Sequence, residues 1–372
     1  MDNKKLDTLR GDINSLDDKI LDLLNQRSEI VTEIGKQKKS KTNIVDIKRE
    51  QKVLDRLLQN SKTKYSQDSI VRIWREIFQA STKLQENNTS PINTKRSINS
   101  INIYKGGKSS VIGKDKIIKL SSNENSYGPS PKVMDYINKS KTLLNSHRYP
   151  SIDGFELREK IAITHNLDAN RIILGCGSDE TLLFAALAFC QDGDEIIHAK
   201  HGFEMYSIIT KIVGATSKLI EENTNYTIDV NSILKQVTPS TKIIYLANPN
   251  NPTGTYLSRT EIVNLLNNLP KHIIVVLDGA YAEYVLKDDY DSGFSLTEEF
   301  ENIIMTRTFS KVYGLAALRI GWCYSSEKVA NILNKVKGPF NTQTISQEIA
   351  MLALEDKDYL KEVVDNITFE EF

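Results

Sequence analysis

The chain starts in a helical period and passes into a strand period near residue 100. Leu6, Leu9, Ile13, Leu16, Ile20, Leu23, Ile30 and Ile34 recur every three or four positions, which predicts one long amphipathic helix. The pattern returns in DIKREQKVLDRLL and in SIVRIWREIFQASTKLQ, and no proline interrupts residues 1–85. The next stretch, ENNTSPINTKRSINS, is polar and aperiodic and reads as a linker. Beyond it come short β-branched runs, RIILGCG, DEIIHAK, KIIYLANP, HIIVVLDGAY and NIIMTRTFS, spaced by helix-length intervals. That alternation predicts an α/β domain with a mainly parallel sheet. The expected organisation is multi-domain: an all-α domain over 1–87, a linker over 88–100, and the α/β domain over 101–372.

Polar residues interrupt the helical stripe. Arg10 lies beside the arc of Leu6 and Ile13, Arg27 falls on it four residues after Leu23, and Lys38 returns to the same face about three turns later. Asp46 and Glu50 align with Val53, Leu54 and Leu57, while Ser81 and Gln85 continue the arc of Ile70, Ile73, Trp74, Ile77 and Phe78. Unpaired charge is costly to bury, so these residues must pair with one another or meet a ligand. On spacing alone, a bundle with structural ion pairs, a dimerisation module and a ligand pocket all remain open.

Bulk properties narrow the function class. Forty-eight basic residues balance 48 acidic ones, so no global field points to nucleic acid or a membrane surface. Three cysteines without metal spacing suit a reducing cytoplasm, and five scattered histidines argue against a zinc site. No stretch is long and apolar enough to span a bilayer. A soluble cytoplasmic protein without a metal is expected.

The α/β region carries the candidate chemistry. TRTFSKVYGLAALRIGW places Lys311 in a Ser/Thr-rich turn with Thr308 and Ser310, and Arg319 follows. An amine, two hydroxyls and a guanidinium are what pyridoxal phosphate requires for covalent attachment and for its phosphate. GCGSDE ends a strand in glycines and opens a helix at Ser178 and Asp179, a phosphate-binding geometry that is also an ordinary capped turn. Asp278 directly follows five apolar residues, where a carboxylate is costly unless it meets a cation such as a pyridinium. Asn251 in NPNNPTG and Tyr281 in DGAY are placed to reach the ring's hydroxyl. Each follows a strand, and open α/β sheets bind ligands at the carboxyl ends of their strands.

Two resemblances sharpen this reading. LDTLRGDINSLDDKILDLLNQRSEIVTEIGKQK…VDIKRE resembles the all-helical chorismate mutase family over essentially the first 85 residues. It implies a three-helix protomer in an intertwined dimer, with Arg10 reaching into the partner's site. Arg10 and Arg27 would clamp the two carboxylates of chorismate, and Lys38 and Gln85 would donate to the ether oxygen. Glu50 would accept from the ring hydroxyl, with Asp46, Arg49 and Ser81 in support. The remainder, through SSNENSYGPSP, RYP, GCGSDE, NPNNPTG, DGAY and TFSK…R, resembles the fold-type I aminotransferases, nearest the histidinol-phosphate aminotransferase branch.

The second resemblance implies that Lys311 is the Schiff-base lysine, that Asp278 pairs with the pyridine nitrogen, and that Asn251 and Tyr281 contact the cofactor hydroxyl. Ser178, Asp179, Thr308, Ser310 and Arg319 would surround the phosphate, Phe203 would stack on the ring, and Tyr149 would come from the partner subunit. Gly279 stands where that family commonly has glutamate, and Cys176 where asparagine is frequent. The family also continues well past the equivalent of Phe372, through a small domain bearing the arginine for the substrate α-carboxylate, so a C-terminally truncated form is expected. Together the resemblances imply a homodimeric enzyme that rearranges chorismate and transaminates an aromatic or prephenate-type keto acid from an amino donor. The alternative substrate is histidinol phosphate, with the helical domain serving dimerisation or ligand sensing.

Overall fold

The structure, a computed structural model, describes residues 3–37, 46–85, 95–104 and 121–370. The chain divides into two compact units, Met1–Arg96 and Ser97–Phe372. In the first, α1 (Asn3–Gln37), α2 (Ile47–Asn60) and α3 (Gln67–Gln85) form the predicted helices. Their core is small: Leu54, Val71 and Phe78, packed by Val53, Leu58 and Trp74. At 35 residues against 19, α1 outruns α3. The predicted stripe from Leu6 to Ile34 is accordingly exposed, and among the described residues of α1 only Val31 is a buried apolar one. A four-residue helix, α4 (Arg96–Asn99), forms inside the stretch expected to be linker, of which residues 88–94 lie outside the described residues.

The described residues of the second unit are built on seven strands: β1 (Ile172–Gly175), β2 (Glu195–Ala199), β3 (Thr216–Ile220), β4 (Thr241–Ala247), β5 (Ile274–Asp278), β6 (Ile303–Thr308) and β7 (Gly321–Ser325). Their order is β1-β7-β6-β5-β4-β2-β3. All neighbours are parallel except β7, which runs antiparallel to both β1 and β6. Among the described residues ten helices accompany them: α5 (Pro131–Lys139), α6 (Phe155–His165), α7 (Ser178–Phe189), α8 (Glu204–Ile212), α9 (Val230–Gln236), α10 (Arg259–Asn268), α11 (Phe294–Glu299), α12 (Glu327–Val336), α13 (Thr344–Glu355) and α14 (Lys357–Glu370).

Strands covered on both faces must be apolar at every position, which is why they appear in the sequence as runs and not as alternations. Successive residues divide between the faces. Ile196, Ile243, Val276 and Ile304 pack with Leu182 and Leu333 of α7 and α12, whereas Ile197, Ile244, Val275 and Ile303 pack with Ile233, Leu265 and Leu296 of α9, α10 and α11. The two strands not predicted, β3 and β7, lack such runs. TSKLI is a half-buried edge strand, and GWCYS is wholly buried but mixes glycine, aromatic and small residues.

The turn after Lys311 is fixed by a glycine. Gly314 has φ +69°, and a Cβ there would lie 2.2 Å from the Gly128 carbonyl oxygen. Gly314→Ala must therefore accept both a left-handed conformation and a backbone clash, at a cost of about 2 kcal/mol or more. Thermal denaturation is expected to show a midpoint lower by about 5 °C, and an unchanged midpoint would mean that the loop carrying Gly128 does not pack on this turn.

Candidate active site

The carboxyl ends of β1, β2, β4, β5 and β6 and the loops that follow surround a cavity of about 640 Å³. Ser178, Asp179, Phe203, Asn251, Asp278, Tyr281, Thr308, Ser310, Lys311 and Arg319 all line it. Tyr149 does not; it is exposed and stacks on Phe340 with ring centroids 4.6 Å apart.

An anion cradle occupies one end. Gly177 has φ +78°, and a Cβ there would lie 2.3 Å from Arg319 Nη2, so glycine is what lets the guanidinium approach the start of α7. Arg319, itself left-handed at φ 47°, donates from Nη1 to Ser310 Oγ at 3.2 Å and pairs through Nη2 with Asp179 at 3.3 Å. The Ser310 amide donates to Thr308 Oγ1 at 3.1 Å. A cation, two hydroxyls and the amides opening α7 thus converge where a phosphate would be bound.

At the opposite end, Asp278 terminates β5 and is 5% exposed. Tyr206 Oη donates to its Oδ2 at 2.8 Å and Thr306 Oγ1 to its Oδ1 at 2.9 Å. Burial pushes this carboxyl above the usual carboxylate range, against the pull of those two hydrogen bonds. A cationic ring nitrogen opposite would remove that cost. Lys311 lies between the two ends, its Nζ donating to the Ser122 carbonyl at 2.8 Å and sitting 5.3 Å from the Tyr281 ring centroid. Burial lowers the pKa of this amine, with Asp179, Glu124 and Asp278 opposing. A half-buried amine, an anion cradle and a buried carboxylate make a donor set that fits pyridoxal phosphate.

Several lining residues escape the sequence reading. Tyr206 lies three residues after Phe203 in GFEMY, and Thr306, which meets the site through Asp278, shares the β6 face of Thr308 one alternation earlier. Asn123 donates to Tyr281 Oη at 3.1 Å, and Tyr104 lines the cavity from the start of the second unit. The Gly279 departure also has a structural counterpart. The Arg307 guanidinium fills that space, 1.6 Å from where a Cβ would stand, and donates to the Thr306 carbonyl at 3.1 Å and to that of Ser292.

In the helical unit, Arg27 donates to Ser81 Oγ, joining α1 to α3, and burial lowers the pKa of its guanidinium. Gln85 closes against Gly35, its Oε1 buried without a hydrogen-bond partner among the described residues. Arg27, Ser81 and Gln85 therefore all lie along the contact between α1 and α3. Arg10 stands apart from it, about 25 Å further along α1, exposed and paired with Asp7 at 3.3 Å. Glu50 is half-buried on α2, and Arg49 is exposed. Asp46 corrects the expectation that it shares the apolar arc: it is the exposed N-cap of α2, accepting from the Arg49 amide at 2.9 Å. Lys38 lies outside the described residues. Among the described residues no cluster of His, Cys, Asp and Glu suits a metal ion, and no helix is long and apolar enough to cross a membrane.

Comparison with known proteins places these two sites in context. The family model "Aminotransferase class I and II" matches residues 115–370, and "Chorismate mutase type II" matches residues 9–86. A histidinol-phosphate aminotransferase of Ruegeria pomeroyi is 46% identical over 268 residues, spanning 72% of this chain and 73% of the relative. One from Dinoroseobacter shibae is 48% identical over 259 residues, spanning 70% of each. Among solved structures, the histidinol-phosphate aminotransferase of Sinorhizobium meliloti in complex with pyridoxal-5'-phosphate superposes with a TM-score of 0.63 at 29% identity, covering 66% of both chains.

Proposed function

We propose, from the premise that this chain belongs to the class I and II aminotransferases and carries a type II chorismate mutase domain, that it is a bifunctional enzyme of aromatic amino-acid biosynthesis. Its first unit would convert chorismate to prephenate, and its second would aminate an aromatic or prephenate-type keto acid. The presence of both domains on one chain is the observation that carries this reading, because the mutase product and its derivatives are keto acids in need of an amino group. A cleft of about 680 Å³ adjoining the cofactor cavity supports it, walled by Tyr256, Tyr281, Tyr284, Val285 and Leu286. Such a wall suits an aromatic side chain.

Bound in the cavity lined by Lys311 and Asp278, pyridoxal phosphate would supply an electron sink that makes the substrate Cα–H acidic. The protein's part is to hold and to move a proton. Asp278 would hold the ring nitrogen protonated, Asn251 and Tyr281 would fix the ring hydroxyl, and Phe203 would cover one ring face. Ser178, Asp179, Thr308, Ser310 and Arg319 would hold the phosphate. Lys311 would anchor the cofactor through Nζ and, once released, move the Cα proton at that atom.

The mutase reaction needs neither nucleophile nor proton transfer. Arg27 and the Arg10 of a second copy would clamp the carboxylates, which freezes the reactive conformer. Lys38 and Gln85 would stabilise charge on the ether oxygen, and Glu50 would accept from the hydroxyl, with Arg49, Asp46 and Ser81 holding the surroundings. The exposed stripe of α1 and the separation of Arg10 from Arg27 support a homodimer. We place the enzyme in the cytoplasm, acting on small molecules.

A second reading is favoured by the relatives, whose names specify histidinol phosphate. In it the helical unit serves dimerisation or ligand sensing. Trials of prephenate, phenylpyruvate and histidinol phosphate as amino partners, together with a chorismate-consumption assay, separate the two. Amination of either keto acid with chorismate turnover is expected; reaction of histidinol phosphate alone would overturn the aromatic assignment.

A further inference from the structure

We propose that Tyr206 is a positioning residue for the cofactor, holding the Asp278 carboxylate in the orientation that faces the cavity and tying it to the ring-covering Phe203. This rests on the reading of the cavity as a pyridoxal phosphate site with Asp278 at the ring nitrogen. The carboxylate receives one hydroxyl on each oxygen, Tyr206 at 2.8 Å and Thr306 at 2.9 Å. Both donors are neutral and essentially fully buried. They fix the direction of the carboxylate without cancelling its charge, leaving lone pairs for a cationic N–H.

Tyr206 is itself held from three sides. Its ring stacks on Tyr245 at 4.9 Å and 3°, and the Tyr245 hydroxyl donates to the Leu182 carbonyl at 2.8 Å. It meets Phe203 edge-on at 5.8 Å and 88°. The His198 ring lies 6.1 Å away. One side chain therefore touches both a group assigned to the ring nitrogen and a group assigned to the ring face, although its hydroxyl is spent on the carboxylate. Besides Asp278, the charged groups around the cavity are Glu124, Asp179, Glu204, Lys311 and Arg319, with Tyr281 a further phenol. None of them is bonded to the Asp278 carboxylate, whose direction is set by the two hydroxyls together with the Ala280 backbone amide.

Tyr206→Phe keeps the stacking and removes only the donor. Asp278 then becomes a stronger base toward the ring nitrogen, the ring loses positive character, and the cofactor–Lys311 linkage holds its proton to higher pH. In the full chain loaded with pyridoxal phosphate, the visible absorbance titration is expected to move its midpoint up by about half a pH unit or more. The kcat should fall about tenfold with KM little changed. Tyr245→Phe, which loses a hydroxyl bonded elsewhere, is expected to leave the midpoint in place. Thr306→Val, which strips the other oxygen, should shift it in the same direction, and the double variant should be non-additive.

A wild-type chain that forms no visible band dependent on Lys311 would defeat the cofactor reading and this inference with it. A normal wild-type band with an unmoved Tyr206→Phe midpoint, or an equal shift in Tyr245→Phe, would overturn the positioning role alone.

Discussion

Lys311→Ala is expected to remove transamination, lowering kcat by on the order of 10³-fold or more, while chorismate turnover stays at its wild-type rate. Two losses combine. In the proposed reaction Nζ both attaches the cofactor and carries the proton from substrate Cα, and a positioned acid–base group alone supplies roughly 10²–10⁴-fold. Lys311 is half-buried, and among the described residues its Nζ hydrogen-bonds to the Ser122 carbonyl, so truncation breaks no side-chain hydrogen bond. The fold should survive with a stability change of about 1 kcal/mol or less. Cofactor should still bind, because the cradle of Arg319, Ser310 and the α7 amides is untouched, but dialysis should now remove it. Stopped-flow transamination and absorbance after dialysis measure both effects. Retention of more than a tenth of wild-type kcat would transfer the proton-carrying role to another group.

Much of this second site was legible because each group sits immediately beyond an apolar run. Asp278 ends IVVLD, Lys311 follows IIMTRTFS, and Ser178 follows IILGCG, so the strand pattern locates the site before any fold is known. Tyr206 was not legible, since it acts through Asp278 and not on a ligand, and its burial resembles that of any core aromatic. In the same way, Arg307 filling the space beside Gly279 depends on a contact 28 residues away in sequence, which no local pattern encodes. In the helical unit, periodicity placed Arg10 and Arg27 near one face but did not show that they lie about 25 Å apart along α1. A straight helix carries its face onward at about 1.5 Å per residue, so sharing a face is not sharing a pocket. Asp46 was misread for a related reason: the helix begins one residue after it, and a cap has no place in the arc.

That separation makes the mutase site testable in a way that also reports on assembly. Arg27→Ala is expected to lower kcat/KM for chorismate by about 10²–10³-fold, the effect of removing one strong donor from a charge-stabilising site. Ser81 keeps its own hydrogen bond to the Ile77 carbonyl, so loss of the guanidinium does not orphan the hydroxyl. The variant should fold, and its transamination should be unaffected. Arg27→Lys is expected to recover only part of the loss, because an ammonium lacks the planar fork that grips a carboxylate. If Arg10 of one copy completes the site of the other, Arg10→Ala should be equally damaging despite its exposed position on α1. The two defects should then complement. A mixed dimer of the Arg10→Ala and Arg27→Ala chains has one site with both arginines and one with neither. Random pairing of equal amounts should therefore restore about a quarter of wild-type activity. If both arginines served one protomer, no mixture would recover any activity, and complementation would fail at every ratio.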